Sequence, residues 1–498
     1  MPTRRDALSL VPASFLIAGG LAAAPAIIGG SASAAERPVN TKRTRIGDLH
    51  YDAGFPTADT VRKLYDELDF QRAVLAYQYV DTLVAMNEPN IALKEMSGHE
   101  LALYVYQDFL DPHGIWLTGN STTIYAASFL DLRKDGPIVV EATPGTYGAF
   151  FDLWQQPIAG IGPTGEDKGE SGKFAILPAD FNGTVPQGYY LVHSPTSLAV
   201  FLGRGIVRNG DVAGAAKSLE TTQVYPLSAR DNPPKVPIVP LTGKDVNTIA
   251  PQGLKYWNRV ADVVNYMGDG VDAVFLLSLL KPFGIEPGKP FAPDARMTQI
   301  LTDASEVAWA MNQAISMAPR LKDVVYYPGT QWESVLMLNP GLRGEYWRDL
   351  EARINYYFQA TMAAPAMKEK HIGEGSQYLR SARDSGGEWL DGSNQYRLRV
   401  PANMPAKEFW SVTVYDFETR SMVQTDTNVA AKSTYDKLAM NADASVDLYF
   451  GPTAPAGKES NWIKTVPGRG WWVWFRFYGP TEPFFDKSWR LPDFEKIT

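Results

Sequence analysis

In the stretch opened by Phe55-Pro56-Thr57, apolar residues recur at three- and four-residue spacing: Val61, Leu64, Tyr65, Leu68, Ala73, Leu75, Tyr79 and Val80. This predicts an amphipathic helix with Thr57 or Asp59 as its N-cap. A shorter helical pattern follows over residues 101–110. From Ile115 the pattern changes to short apolar runs broken by Gly, Pro and Asn, at 124–132, 138–141, 149–154, 174–177, 189–193 and 198–202. Runs at that spacing predict the strands of a sandwich. Four prolines within 230–240 mark a linker. Helical periodicity returns over 251–318, is broken by Pro282 and the segment 286–290, and restarts at Asp294; a further helix, rich in Trp and Tyr, is predicted over 344–362. Strand patterning resumes at 396–400, 408–415, 446–450 and 470–478. The run from Trp471 to Tyr478 carries large rings on both faces, so both faces should be covered, and a jelly-roll-like sandwich fits this aromatic, turn-rich end.

A chain of 498 residues exceeds the ~250–300 at which a single core stops growing, so a multi-domain α+β protein is expected. The expected divisions are a leader over 1–35, a β-sandwich module with its leading helix over 45–240, a helical unit over 250–385 and a jelly-roll-like module over 386–498. In the leader, Arg4-Arg5 precede an Ala- and Gly-rich apolar stretch, and Ala32-Ser33-Ala34 offers small residues for cleavage. This is the pattern of a signal peptide of the twin-arginine kind, and it predicts a periplasmic or secreted protein. The longest later apolar run, 271–280, is far short of the ~18 residues of a spanning helix, so no stable membrane insertion is expected.

Composition narrows the chemistry. An apolar share of 45% with 12% aromatics is globular, and a formal charge of −8 with scattered Lys and Arg disfavours nucleic acid and anionic membranes as partners. With no cysteine there is no thiolate nucleophile, zinc ribbon or iron–sulfur cluster. The five histidines, His50, His99, His113, His193 and His371, lack metal-ligand spacing. The glycine-rich loop over 160–172 does not follow a nucleotide fingerprint, there is no Gly-x-Ser-x-Gly elbow, and no cofactor motif is found.

Two groups of residues resemble known families. The run 117–125, with Leu130-Asp131-Leu132, Gly136-Pro137, Gly172-Lys173-Phe174, 185–189 and Ser194-Pro195-Thr196, resembles the bacterial domain of unknown function DUF1254. Pro405, the run 409–416, Gly451-Pro452, Asn461-Trp462, 476–480 and Trp489 resemble its usual companion, DUF1214. The resemblance implies an immunoglobulin-like sandwich, a helical unit and a jelly-roll-like domain in one chain, and implies no reaction. Many relatives have an aspartate where Thr122 stands, and Asp-Gly-Ser where Asp443-Ala444-Ser445 stands, so no role is hung on those positions from the resemblance.

Candidate site residues follow from local chemistry. Asn120, Ser121, Thr122, Thr123 and Tyr125 gather an amide, hydroxyls and a phenol at the mouth of a strand. They read either as the turn that feeds the strand, the preferred reading, or as an uncharged polar clamp for a sugar or carboxylate. Asp131 is expected to pair with Arg133, a turn amide or a ligand. Alternation along 409–416 sets Phe409, Ser411, Thr413 and Tyr415 on one face and Trp410, Val412, Val414 and Asp416 on the other. An acid on an apolar face needs a partner; Arg476 is the expected one, as a structural ion pair in the first instance and a tuned general acid in the second. Trp347, Tyr356, Tyr357, Trp389, Trp410, Trp462, Trp471, Trp472 and Trp474 are read as core before they are read as stacking platforms.

Two functions of different class stay open. The first is an exported, metal-independent hydrolase of a small or carbohydrate-like substrate bound between domains. Its catalytic candidates are His113, Asn120, Thr122 and Asp416, and its binding candidates are Tyr125, Trp410, Tyr415, Asn461, Trp462 and Arg476. The second is a non-catalytic envelope protein that binds a glycan or an apolar ligand. Convergence of titratable groups on one pocket would separate them.

Overall fold

The computed structural model describes residues 40–497 apart from 208–209, 335, 337–340 and 346. The leader over 1–35, with its paired arginines and cleavage motif, lies outside the described residues.

Among the described residues, those from Asn40 to Tyr65 form one compact unit. Its strands Asn40–Thr44, Gly47–Asp52 and Phe55–Pro56 pair antiparallel in chain order and run into the helix Ala58–Ser97. Thr57 is the N-cap, its hydroxyl accepting from the Thr60 amide at 3.3 Å.

The second unit runs from Asp66 to the end of the chain. Its first half holds a six-stranded sheet, in the order Ile238–Pro240, Leu103–Val105, Ile124–Asp131, Leu198–Gly205, Thr146–Asp152 and Pro157–Ile161. A four-stranded sheet, Tyr189–Ser194, Gly172–Pro178, Ile138–Ala142 and Gln223–Pro226, shares a core with it through Ile124, Phe150, Phe201, Phe174 and Val224. The second half holds two four-stranded sheets. Ser376–Ser381, Trp471–Pro480, Ala406–Asp416 and Ala431–Ser433 form one sheet; Trp462–Lys464, Val446–Gly451, Gln395–Val400 and Glu495–Ile497 form the other. Between the halves in sequence lie the helices Leu254–Val263, Val271–Leu280, Ala295–Met317 and Leu350–Tyr357. The protein is thus multi-domain α+β. Asp294 caps its helix as expected, accepting from the Met297 amide at 2.7 Å. No helix among the described residues is long and apolar enough to cross a membrane.

Two local expectations are corrected. The segment 101–110 is not helical: Leu103–Val105 is a strand, paired antiparallel with Ile124–Asp131 and parallel with Ile238–Pro240. Both side chains and backbone of a short apolar run are better satisfied between two strands than in an isolated turn of helix. The proline-rich segment is likewise not all linker, since Ile238–Pro240 forms the edge of that sheet, where a proline without an N–H is tolerated. Every residue of Trp471–Pro480 is buried, so the ring-bearing strand is covered on both faces.

Candidate functional site

Alternation along the strands decides which side chains leave each core. On Ile124–Asp131 and Leu198–Gly205, the residues Ile124, Ala126, Leu130, Ala199 and Phe201 face the partner sheet. Their neighbours Tyr125, Ala127, Phe129, Val200, Leu202 and Arg204 therefore point the other way. In the second half, Trp471, Val473, Phe475 and Phe477 alternate with Trp472, Trp474, Arg476 and Tyr478 along one strand. The outer faces of the two sheets, residues Ala85, Met86, Pro89 and Leu93 of the long helix, and the segment around Tyr356 and Met362 enclose a cavity of about 190 Å³. Its wall is mostly hydrocarbon and aromatic, with Phe129, Phe151, Met367, Trp116 and Trp474 among the larger contributors. Its charged groups among the described residues are Arg204 and Arg476, with no carboxylate.

A polar network closes one side. Asn120 Nδ2 lies 2.7 Å from the Tyr478 hydroxyl and 3.1 Å from that of Tyr125. Asn120 Oδ1 accepts from the Thr122 amide at 3.1 Å and the Thr122 hydroxyl at 2.8 Å. That is the turn expected ahead of the strand, and it also joins the two halves of the chain through Tyr478. The Tyr415 hydroxyl donates to the Gly119 carbonyl at 2.7 Å and accepts from Arg476 Nη2 at 2.6 Å, while Arg476 Nη1 donates to the Thr413 hydroxyl at 2.9 Å. Burial pushes the Tyr415 and Tyr478 hydroxyls above the ordinary phenol range, with Arg476 opposing. Both therefore stay neutral at physiological pH.

Asp416 does not meet Arg476; its partner is Arg469, at 2.5 and 2.8 Å. Arg476 stands opposite Ser411 in register, on the Thr413–Tyr415 face, whereas Asp416 belongs to the other face. Asp416 also accepts from the Glu418 and Thr419 amides, both at 3.0 Å. Burial opposes its charge, yet Arg469 and the Thr419 amide hold the carboxyl below the ordinary aspartate value. This is a turn-closing ion pair, and Asp416 does not line the cavity.

His113 does not line it either: its side chain is 54% exposed beside Asp111. Asn461 pins the backbone of Ala439 and Asp447 at 2.8 and 2.9 Å, and Trp462 donates to the Gly451 carbonyl at 3.0 Å. Trp410 is buried and stacks on Phe475 at 5.4 Å, on the core side of its sheet. Asp131 accepts from the Arg133 and Lys134 amides as a helix cap. Of the nine aromatic residues read as core, Tyr356, Tyr357, Trp410, Trp471, Trp472 and Trp474 are buried, Trp462 is half-buried, and Trp347 and Trp389 are exposed.

The structure thus gathers Asn120, Thr122, Tyr125, Tyr415 and Arg476, and leaves His113, Asp416, Trp410, Asn461 and Trp462 elsewhere. Sequence reasoning missed Arg204, Tyr378, Trp474 and Tyr478 as site residues. The signal for Arg204 was present: it follows Val200 and Leu202 at period two, on the same strand face.

Residues 102–226 match the family described as protein of unknown function (DUF1254), and residues 375–482 match that described as protein of unknown function (DUF1214). Among solved structures, the chain is similar to the VPA0106 protein from Vibrio parahaemolyticus, with 21% identity and a TM-score of 0.51 over 86% of this chain and 100% of that one. It also matches an uncharacterized protein from Burkholderia cenocepacia, at 13% identity and a TM-score of 0.36 over 89% of this chain and 99% of that one. The first likeness establishes the fold alone. No curated protein is detectably similar. Asn120, Tyr125 and Arg204 fall in the first matched segment; Tyr378, Trp474 and Arg476 fall in the second.

Proposed function

From the matches of residues 102–226 to DUF1254 and of residues 375–482 to DUF1214, both described only as of unknown function, we propose that this chain is a small-molecule-binding protein whose ligand occupies the cavity between the two matched segments. The observation that carries this reading is the cavity itself. A space of about 190 Å³, walled by apolar side chains from both matched segments and by a few convergent polar groups, has the character of a ligand pocket rather than a packing defect. No acid–base constellation forms on it among the described residues: its lining holds no histidine, aspartate, glutamate or lysine. Binding therefore takes precedence over hydrolysis.

In this reading the two halves are immunoglobulin-like and jelly-roll-like sandwiches, the protein works in the periplasm or outside the cell, and its partner is a small, largely apolar molecule. Binding to the native state alone raises stability by ~2.7 kcal/mol at a hundredfold excess over Kd, so a thermal-shift screen of neutral and charged amphiphiles reads the site directly. Ala127 lines the cavity, and Ala127→Trp fills it. The expected result is a stabilising compound whose effect disappears in a folded Ala127→Trp variant. A stabilising compound indifferent to that change would contradict the proposal.

A further inference from the structure

Resting on the reading of the cavity as a ligand site, we infer that its ligand is an apolar monocarboxylate, a fatty acid or an apolar aryl acid, with its anionic head held by Arg204 and Arg476.

The charge balance carries this. The cavity lining presents two cations and no anion among the described residues, and burying a charge without a counter-ion is expensive. Arg476 is 3% exposed. A guanidinium has five N–H donors, and among the described residues Arg476 has two hydrogen-bond partners, the neutral hydroxyls of Thr413 and Tyr415, and lies over the Tyr378 ring at 5.6 Å, while its Nε has no hydrogen-bond partner. Arg204 comes from the opposing sheet. Its guanidinium lies over the Tyr125 ring at 5.7 Å and makes no hydrogen bond among the described residues. The two cations feel each other and share the phenols of Tyr378 and Tyr478. Burial keeps the Tyr478 phenol protonated, so it brings no negative charge to the pair of cations. Space-filling alone would be met more cheaply by Leu or Met on these strands, because a buried cation is no aid to stability by itself.

Geometry supplies the rest. A planar guanidinium matches a carboxylate through paired hydrogen bonds. Each sheet contributes one cation, so the pair exists only when the two family segments are docked. Arg204 also borders a second hollow, of about 460 Å³, sharing Phe151, Leu202 and Ala364 with the first cavity. From Arg204 the same strand face continues through Leu202 to Val200, which stands opposite Phe129. At the strand rise this four-residue reach is about 13 Å of apolar wall, which suits an extended aliphatic tail and gives a glycan nothing to hydrogen-bond.

The test is titration calorimetry on the purified chain with decanoate, decanol and decylammonium. The expected order is decanoate tightest, with decanol at least about tenfold weaker, the size of a charge-assisted hydrogen bond, and decylammonium weaker still. Arg476→Gln and Arg204→Gln should each bring decanoate toward the affinity of decanol while leaving decanol unchanged, and Ala127→Trp should abolish both. If either glutamine variant fails to fold, the comparison of the three probes on the unmodified chain decides alone. Equal affinity for decanoate and decanol would overturn the anionic head and leave the apolar pocket standing. Binding of none of the three would overturn both readings.

Discussion

At the scale of single residues, the buried charges sort into those with partners and those without. Asp416 has its full complement: Arg469 on one side, turn amides on the other. Removing one partner of such a set leaves the rest uncompensated, so Asp416→Ala should cost about 2–4 kcal/mol of stability. Decanoate affinity should be unchanged, as read by denaturant unfolding and calorimetry on the same preparation. A loss of affinity at preserved stability would return Asp416 to the binding site. The cluster from Asn120 to Tyr125 was legible in the sequence because a short polar run ahead of a strand is a turn whatever else it is. The partner of Asp416 was not legible. Parity along a strand states which face a residue takes, but not which loop folds back to that face, and Arg469 comes from such a loop.

At the scale of elements, the long helix Ala58–Ser97 carries the next lesson. Its apolar periodicity was readable as far as Val80, but it runs on through Pro89, a residue that ordinarily ends a helix. Met86, Pro89 and Leu93, three and four residues apart, then present one face to the cavity. The segment 101–110 failed in the opposite sense, because pairing with two strands overrode local pattern. The helix also buries acids. Burial pushes Glu88 up to about 7 against the opposing Arg259, and Asp81 up to about 6 against the opposing Arg420. On the strand Thr146–Asp152, burial pushes Asp152 up to about 6 despite the amides of Gln156 and Trp154. In the unfolded chain such groups titrate near ~4. Between about pH 4 and 7 the folded state therefore holds more protons than the unfolded state, and stability falls as pH rises through that window. Asp416 acts in the opposite sense, losing its contribution as pH falls below about 4. The melting temperature should be higher at about pH 5 than at about pH 8, and Glu88→Gln should flatten the curve above about pH 6. A melting temperature that climbs from pH 5 to 8 would contradict these assignments.

At the scale of the whole molecule, the pattern of runs and breaks foretold two β-rich halves with helices between. It did not foretell how the outer faces of the sheets meet, because residues such as Arg204 and Arg476 are brought together from positions far apart in sequence. Buried residues of the long helix, of Leu254–Val263 and Ala295–Met317, and of the C-terminal sheets belong to one continuous core. The part of the chain from Asp66 onward should accordingly unfold in one calorimetric transition, and a saturating ligand should shift that transition as a whole. Two well-separated transitions would mean that the halves fold independently and that the cavity is not part of the cooperative unit.

The most direct measurement is a crystal structure of the protein grown with a bromine-tagged decanoate, whose anomalous signal locates the tail. The predicted result places the carboxylate within hydrogen-bond distance of Arg204 and Arg476, with the tail along Val200 and Phe129. A bromine peak outside this cavity, or a carboxylate pointing away from both arginines, would contradict the assignment.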